Sequence, residues 1–355
     1  MPIYQRFLSK LYFKKFLLLF MAFEIFFVGI DLLKNLKLLP DSANLQVLYI
    51  VNKFLEFIGF TLPLTLIFAL IMAVIQIIKS NELVTLYSLG ISKTDVAKPF
   101  IVISLLITSI YIGLNTLPYF VQAHQNASNI KKRGTITSIS SSIFLKSGED
   151  YAYIQELNPA AKTGENMKIF IIEKKDLVKI IEAKEGVFKN DHWELKDITV
   201  YEKPHIDKKN LNDLKLLIKR YETKNVLYGF TPRIIDTLFQ NSTKLTIQDS
   251  FKAIKLFKKQ NLKTDKIRAN LYKMTIFPLF APIMVFALFF LFPTQARGSN
   301  LTFFTMASIF GSLALWGITL TMTKIANNGT VSAEAGILLP ILLLGLGSVY
   351  LYKRR

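Results

Sequence analysis

The sequence contains no cysteine and only three histidines, and these absences exclude several kinds of site. Without cysteine there can be no disulfide framework, no thiolate zinc or iron–sulfur site and no thiol nucleophile. The histidines, His124, His192 and His205, are too scattered for the close spacing of metal ligands. We therefore expect neither a metal nor a cofactor.

Catalytic motifs are missing as well. The sequence has no G-x-x-x-x-G-K-[ST] loop for nucleotide phosphates, no G-x-S-x-G turn for a nucleophile and no H-E-x-x-H zinc motif. Such a sequence is typical of a protein that is not an enzyme by itself.

Charged residues are scarce, at 19% of the chain, whereas hydrophobic residues make up 51% and the mean hydropathy is +0.35. This composition indicates a membrane protein, in which a helix needs roughly 20 mostly apolar residues to cross the bilayer. Three segments qualify before a long polar stretch and three after it. They are residues 16–33, 54–78, 100–121, 271–292, 301–323 and 335–352.

The net charge of +19 would suggest nucleic-acid binding in a soluble protein, but in a membrane protein it first bears on topology. Short cytoplasmic loops are enriched in Lys and Arg. With both termini inside, the inner side has Arg6, Lys10, Lys14, Lys15, Lys79, Lys93, Lys98, Arg297, Lys353, Arg354 and Arg355. The outer short loops and helix ends then have only Lys34, Lys37, Lys53, Lys273 and Lys324. This bias predicts cytoplasmic termini, an extracytoplasmic middle region and no nucleic-acid partner.

The middle region, residues 122–270, has 28 Lys plus Arg and 18 Asp plus Glu, and it lacks an apolar run long enough to span. Alternating runs such as 167–173 and 180–200 are typical of strands, and Asn190-Asp191 is suited to a two-residue hairpin turn. We expect a small antiparallel sandwich or roll, followed by a lysine-rich helix over about 247–269. Its basic surface fits either a solvated domain or a surface for anionic ligands such as phosphorylated lipids, and charge alone does not choose.

The loop between the second and third segments is the most informative short stretch. Ser80 or Asn81 can cap a helix, Glu82 lies in the first turn where the helix dipole favours an anion, and Gly90 is suited to end the helix. Ser92 and Asp95 resemble a capping box that starts the next helix. The predicted helix has an apolar face that consists of Leu83, Leu86, Tyr87 and Gly90. Periodicity alone fits a helix on lipid headgroups as well as a docking helix.

Residues 81–92, NELVTLYSLGIS, resemble the E-L-x-x-x-x-x-x-G-h-S loop of the LptF and LptG permeases of the lipopolysaccharide exporter. The resemblance extends to the three-plus-three helices, the stranded middle region, Phe277-Pro278-Leu279 at the start of the fourth helix and the basic C-terminal end. It implies an α-helical membrane protein with six transmembrane helices and an inserted all-β, jellyroll-like domain. Residues 1–121 would form helices one to three with a cytoplasmic coupling helix at about 80–90, residues 122–270 the periplasmic domain and residues 271–355 helices four to six.

Of the two sister types, the LptG type is favoured. Asp191-His192-Trp193-Glu194-Leu195 is similar to a W-x-L hairpin of that type, and the chain stops directly after the sixth helix.

The resemblance implies a transporter subunit of the bacterial inner membrane. It would pair with an LptF-like sister permease to form a cavity for lipopolysaccharide, and a cytoplasmic LptB-like ATPase dimer would hydrolyse ATP. An LptC-like protein would form the periplasmic bridge. Glu82, Leu83, Leu86 and Tyr87, in the helix that ends at Gly90, would insert into a groove of the ATPase.

The first helix has two further features. Glu24 and Asp31 are carboxylates in or near an apolar run, and such groups usually face a bundle interior or a cavity. Lys34 and Lys37 lie one turn apart, where they can pair with the lipid A phosphates or extend to the interface as ordinary snorkelling lysines. In the family, basic residues of this region contact the substrate, and Lys34 aligns with one. A second such position is Val28 here, so that contact is missing.

Two other functions fit part of the sequence. A membrane receptor with an extracytoplasmic sensor would need an output domain inside, and the predicted inner loops are too short for one. Permeases of other ABC exporters with large outer domains usually have four helices, split one and three, so the helix count separates them from this chain.

Overall fold

The structure, a computed structural model, describes residues 2–135, 140–147, 149–159, 161–173, 176–203, 217–240, 245–259, 263–295 and 300–354. His205, Arg297 and Arg355 lie outside these ranges. The chain divides into a helical unit (1–134, 246–250 and 265–355) and a β unit (135–245 and 251–264).

Six helices of the described chain are long and apolar enough to cross a membrane, which confirms the predicted six-helix membrane protein. The spans are formed by α1, α2, α4, α9 with α10, α11 and α12, and shorter helices lie between them. All α-helices of the described residues are α1 (Ile3–Asn35), α2 (Ala43–Lys79), α3 (Glu82–Ser88), α4 (Lys93–Leu114), α5 (Pro118–Val121), α6 (Ala123–Arg133), α7 (Pro232–Gln240), α8 (Ile247–Lys259), α9 (Asp265–Thr275), α10 (Phe280–Leu291), α11 (Leu301–Asn327) and α12 (Leu339–Arg354). A 3-10 turn, Leu36–Leu38, extends α1, and a π-helical turn, Glu334–Leu338, precedes α12.

Several helix boundaries differ from the expectation, and α2 in particular begins at Ala43 rather than near Phe54. The first helix begins at Ile3 rather than near Phe16, because its basic residues can extend from a helical backbone to water. The third membrane helix ends at Leu114, and Pro118 starts the short helix α5 after a turn. In the fourth span, a 3-10 turn over Phe277–Leu279 separates α9 from α10, as expected for a proline that removes a backbone donor.

The six spans differ in how much of their surface the chain itself covers. In the most apolar stretch of the second and fourth spans, 72% and 67% of the residues are buried, compared with 17% in the first and fifth. Helix α2 packs against α1 and α10, and α10 packs against α4 and α12. The second and fourth spans therefore form the centre of the helical unit, while the others have broad apolar faces for lipid or another protein.

Helix α6 belongs to the helical unit, although the sequence-based boundary at residue 122 groups it with the middle region. Ala127 and Ile130 of α6 are buried against Leu39 and Tyr49. The helix is short and mostly polar, so only this narrow apolar stripe identifies its contact with α2.

The β unit contains one six-stranded antiparallel sheet, which confirms the predicted inserted β domain. Its strands are β1 (Ser140–Ser147), β2 (Asp150–Asn158), β3 (Thr163–Glu173), β4 (Asp176–Lys189), β5 (His192–Glu202) and β6 (Leu217–Val226). Neighbours in the sheet are also neighbours in the chain, so the described strands form a meander. The Greek-key connections of a complete jelly roll do not occur among these strands.

The hairpin between β4 and β5 has the predicted two-residue turn. Lys189 pairs with His192, and the turn residues Asn190 and Asp191 have φ of 44° and 66°. These left-handed conformations are tolerated best by Asn, Asp and Gly, which is why this dipeptide is suited to the turn.

One face of the sheet carries the core of the β unit. Trp193 and Leu195 are fully buried, and the indole N–H of Trp193 donates to the carbonyl oxygen of Phe230 over 2.8 Å. A Cβ at Gly186 would clash with the sulfur of the buried Met167, so a larger residue at this strand position would require the core to rearrange. The W-x-L hairpin therefore supplies two core residues.

Candidate functional site

Helix α3 forms a short elbow between α2 and α4. It follows Asn81, which has a left-handed backbone (φ 59°), and it ends at Gly90 (φ 78°). The Gly90 N–H donates to the Tyr87 carbonyl, and the Ile91 N–H donates to the Leu86 carbonyl, at 3.0 and 3.2 Å. This pair of bonds is a Schellman motif, which explains why a glycine ends the helix here.

The start of α4 fixes the other side of the elbow. The Ser92 hydroxyl accepts from the Asp95 backbone N–H at 3.1 Å and donates to the Asp95 carboxylate at 2.6 Å. Lys98 binds the same carboxylate at 2.6 Å. One glycine and one capped helix start thus set the direction in which the chain leaves α3.

The apolar residues predicted to enter an ATPase groove also contact their own chain. Leu83 is 3% exposed and belongs to the core of the helical unit, and Leu86 and Tyr87 pack against that core. Burial raises the pKa of the Tyr87 hydroxyl to about 12, so this side chain is a neutral phenol. These three residues therefore anchor α3 on the membrane helices.

The outward face of α3 is formed by other residues. Val84 and Leu89 are 38% and 72% exposed, and Thr85 and Ser88 are also exposed. Glu82 is half-buried, and its Oε2 atom is buried without a hydrogen-bond partner among the described residues. The face available to a partner is thus small, partly apolar and acidic at the N-terminus of α3.

Lys34 and Lys37 lie at the opposite end of the unit, where Lys34 is in the last turn of α1 and Lys37 is in the following 3-10 turn. Both side chains are exposed, and neither has an ion pair with a described residue. Val28 is buried, at 8% exposure, so the helix carries no base at that depth. The two lysines are free to bind an anion.

Sequence reasoning missed the lysine that does have partners in this region. Lys53 of α2 lies 3.4 Å from Asp31 and 3.0 Å from Glu56. Asp31 also accepts from the Tyr49 hydroxyl at 2.5 Å. Asp31, which was predicted to face a bundle interior or a cavity, thus joins α1 to α2. Only the three-dimensional approach of the two helices brings these groups together, so spacing along the chain gives no sign of it.

The two described histidines have structural partners. His124 lies 2.7 Å from Glu56, and His192 bonds the Asn190 carbonyl oxygen at 3.0 Å. Within the described ranges, no three His, Asp or Glu side chains are grouped in a way that would hold a metal ion.

Six membrane-length helices, an inserted antiparallel sheet and an elbow helix between the second and third spans define a multi-pass membrane protein with an inserted β domain. The family model described as "Lipopolysaccharide export system permease LptF/LptG" matches residues 6–354. The chain therefore belongs to the LptF/LptG family, whose members are permease subunits rather than enzymes. A search of curated proteins finds no match.

Proposed function

We propose that this permease is the LptG-type half of an ABC transporter that extracts lipopolysaccharide from the inner membrane and passes it to a periplasmic bridge. The observation that carries the proposal is the LptF/LptG match over residues 6–354. The W-x-L hairpin, with Trp193 and Leu195 in the core of the β unit, supports the LptG type.

The distribution of charge supports cytoplasmic termini and a periplasmic β unit. The basic residues of the N-terminal stretch and of the short loop after α3 belong to the cytoplasmic side under this orientation. Helix α3 then faces the cytoplasm, where ATP is available, and Lys34 and Lys37 lie at the periplasmic end.

The elbow helix would transmit the motion of the LptB-like ATPase dimer. Val84 and Leu89 would contact the ATPase, while the buried Leu83 and the partly buried Leu86 and Tyr87 would transfer the displacement to the membrane helices. Glu82, with an unsatisfied carboxylate oxygen, would accept a hydrogen bond or pair with a base of the ATPase. The Schellman motif at Gly90 fixes the C-terminal end of α3, so the helix would move as one body.

The exposed apolar faces of the first and fifth spans would contact the acyl chains and the LptF-like sister permease. Each methylene removed from a bilayer costs about 0.8 kcal/mol, so lipopolysaccharide can be extracted only into another apolar space. A cavity between two permeases supplies that space and removes most of the cost. Lys34 and Lys37 would hold the phosphorylated headgroup, and the β unit would connect to the LptC-like bridge.

The coupling role is tested with Glu82→Ala in a transporter purified with its ATPase. We expect the ATPase to be recovered poorly, or lipopolysaccharide release to fall at normal ATPase content. Glu149→Ala, which removes a carboxylate from an exposed position of the β unit, is the matched control. Normal recovery and normal release in Glu82→Ala would exclude the role of Glu82. Recovery of the chain without any ATPase or sister permease would contradict the transporter itself.

A further inference from the structure

Glu24 is a carboxyl group at the middle of the helical unit, and neither the coupling helix nor the headgroup site uses it. It is 0% exposed, between α1 and α2. Its Oε1 atom lies 2.5 Å from the Thr61 hydroxyl oxygen, and Thr61 is the central residue of α2 (Ala43–Lys79). The other oxygen, Oε2, is buried and has no hydrogen-bond partner among the described residues.

The single hydroxyl hydrogen of Thr61 restricts the protonation state of Glu24. The Thr61 oxygen also lies 3.1 Å from the Phe57 carbonyl oxygen, which can only accept. A threonine hydroxyl has one hydrogen and two lone pairs. If that hydrogen goes to Phe57, the contact with Glu24 is a hydrogen bond only when Glu24 supplies the hydrogen. The short contact with Glu24 and the 3.1 Å contact with Phe57 are both satisfied when Glu24 is a neutral carboxylic acid.

The surrounding charges leave no cation to neutralise an ionised Glu24. No described basic residue forms an ion pair with it. Lys53, the nearest lysine along α2, is already held between Asp31 and Glu56. An unpaired carboxylate in the apolar centre of a membrane costs several kcal/mol, whereas a hydrogen-bonded acid avoids most of that cost.

The other helices that pack on α1 or α2 carry charged groups only towards their ends or none at all. Helix α10 has no charged residue. The charged residues of the remaining neighbours are Glu82 on α3, Lys93, Asp95 and Lys98 on α4, Lys131, Lys132 and Arg133 on α6 together with the titratable His124, and Lys324 on α11. Tyr111 on α4 and Tyr119 on α5 are titratable but neutral, and Lys273 of α9 interacts with Glu56 of α2.

A metal ion does not fit between these groups. Oxygen ligands bind a cation such as Ca²⁺ at about 2.4 Å, and two ligands from different residues therefore lie roughly 3 Å or more apart. The Glu24 and Thr61 oxygens are only 2.5 Å apart, which is short even for a hydrogen bond and too close for two ligands of one metal ion. A proton is the cation of suitable size.

We propose that Glu24 is a proton-binding site: it keeps its proton at neutral pH, donates it to Thr61, and so fastens α1 to α2 at the centre of the membrane. Loss of the proton would leave a buried anion against the Thr61 oxygen and loosen the two helices. The inference goes beyond lipopolysaccharide export and does not depend on it.

Infrared spectroscopy of the full-length protein in lipid nanodiscs tests the protonation directly. We expect a carboxylic-acid C=O band at neutral pH that shifts in D2O and is lost in Glu24→Gln. Thr61→Val, which removes the acceptor but keeps the shape, should move the band to higher frequency. Labelling the wild-type chain with 13C-glutamate assigns the band to a glutamate even if a variant fails to fold. Absence of a labelled band at neutral pH in the wild-type protein would overturn the proposal.

Two further measurements distinguish a protonated Glu24 from an ionised Glu24 and from a bound metal ion. A neutral Glu24 predicts that Glu24→Gln, which keeps a donor for Thr61, melts close to the wild-type temperature, whereas Glu24→Leu melts lower. An ionised Glu24 predicts that both variants melt at or above the wild-type temperature, because both substitutions would remove a buried charge. Replacing potassium by sodium should leave the band unchanged, and its disappearance in sodium alone would indicate a metal site instead.

Discussion

The two ends of the helical unit differ in the forces that fix them. At the α3 end, Leu83 is buried in the apolar core and a Schellman motif ends the helix, so the elbow depends on packing and backbone geometry. At the α6 end, Lys53 between Asp31 and Glu56 joins the helices through charge. Each end also presents residues that this chain leaves uncovered: Leu89 at one and Lys34 at the other. The difference separates residues that hold the fold from residues available to partners.

The largest effect is expected at the packed end. Leu83→Ala should lower the free energy of unfolding by about 3 kcal/mol, because it leaves a cavity in the core that neighbours fill only partly. Leu89→Ala, on the same helix but 72% exposed, should change it by less than about 0.5 kcal/mol. Denaturant unfolding in detergent measures both variants. Equal losses would show that α3 does not pack as described.

A smaller loss of stability is expected at the charged end. Lys53→Met leaves Asp31 and Glu56 facing each other without their cation, and all three side chains are no more than 22% exposed. Removing one partner of a well-buried pair costs about 3–5 kcal/mol, and partial exposure reduces the expected loss to about 2 kcal/mol. Lys34→Met, which removes an exposed lysine without an ion pair, is the control. If Lys53→Met unfolds like the wild type, charge does not hold this end.

These two ends also show what the sequence could predict. Apolar runs predicted six helices, and local turn chemistry predicted a short helix at about 80–90 that ends at Gly90 and the Asn190-Asp191 hairpin. Each of these features depends on residues that are close along the chain. Contacts between distant segments, such as Lys53 with Asp31, were not predicted because no local pattern encodes them.

The orientation of α3 is a particular case. Helical spacing correctly grouped Leu83, Leu86 and Tyr87 on one face. The same spacing cannot say whether that face meets the protein's own core or a partner, because both are apolar. The structure directs it towards the core, which leaves Val84 and Leu89 for the proposed ATPase contact.

A double substitution on the exposed face of α3 distinguishes residues that bind a partner from residues that hold the fold. Val84→Ala with Leu89→Ala should weaken binding of the ATPase about tenfold, or about 1.4 kcal/mol, while the unfolding transition stays in place. Binding is measured with the purified permease pair and increasing amounts of ATPase. Thr85→Ser is a mild control on the same face. Unchanged affinity would show that the ATPase does not use this surface.

The smallest effect per residue is expected from the free lysines at the other end. An exposed ion contact contributes about 0.2–1 kcal/mol, so Lys34→Gln with Lys37→Gln should reduce lipopolysaccharide crosslinking roughly three- to tenfold without changing stability. Lys10→Gln with Lys14→Gln removes two exposed charges from the opposite end of α1 and serves as the control. Because salt screens exposed charges, raising the ionic strength should reduce crosslinking of the wild-type chain more than that of the Lys34 and Lys37 variant. Equal losses in both pairs would mean that total charge, rather than these two lysines, attracts the anionic lipid.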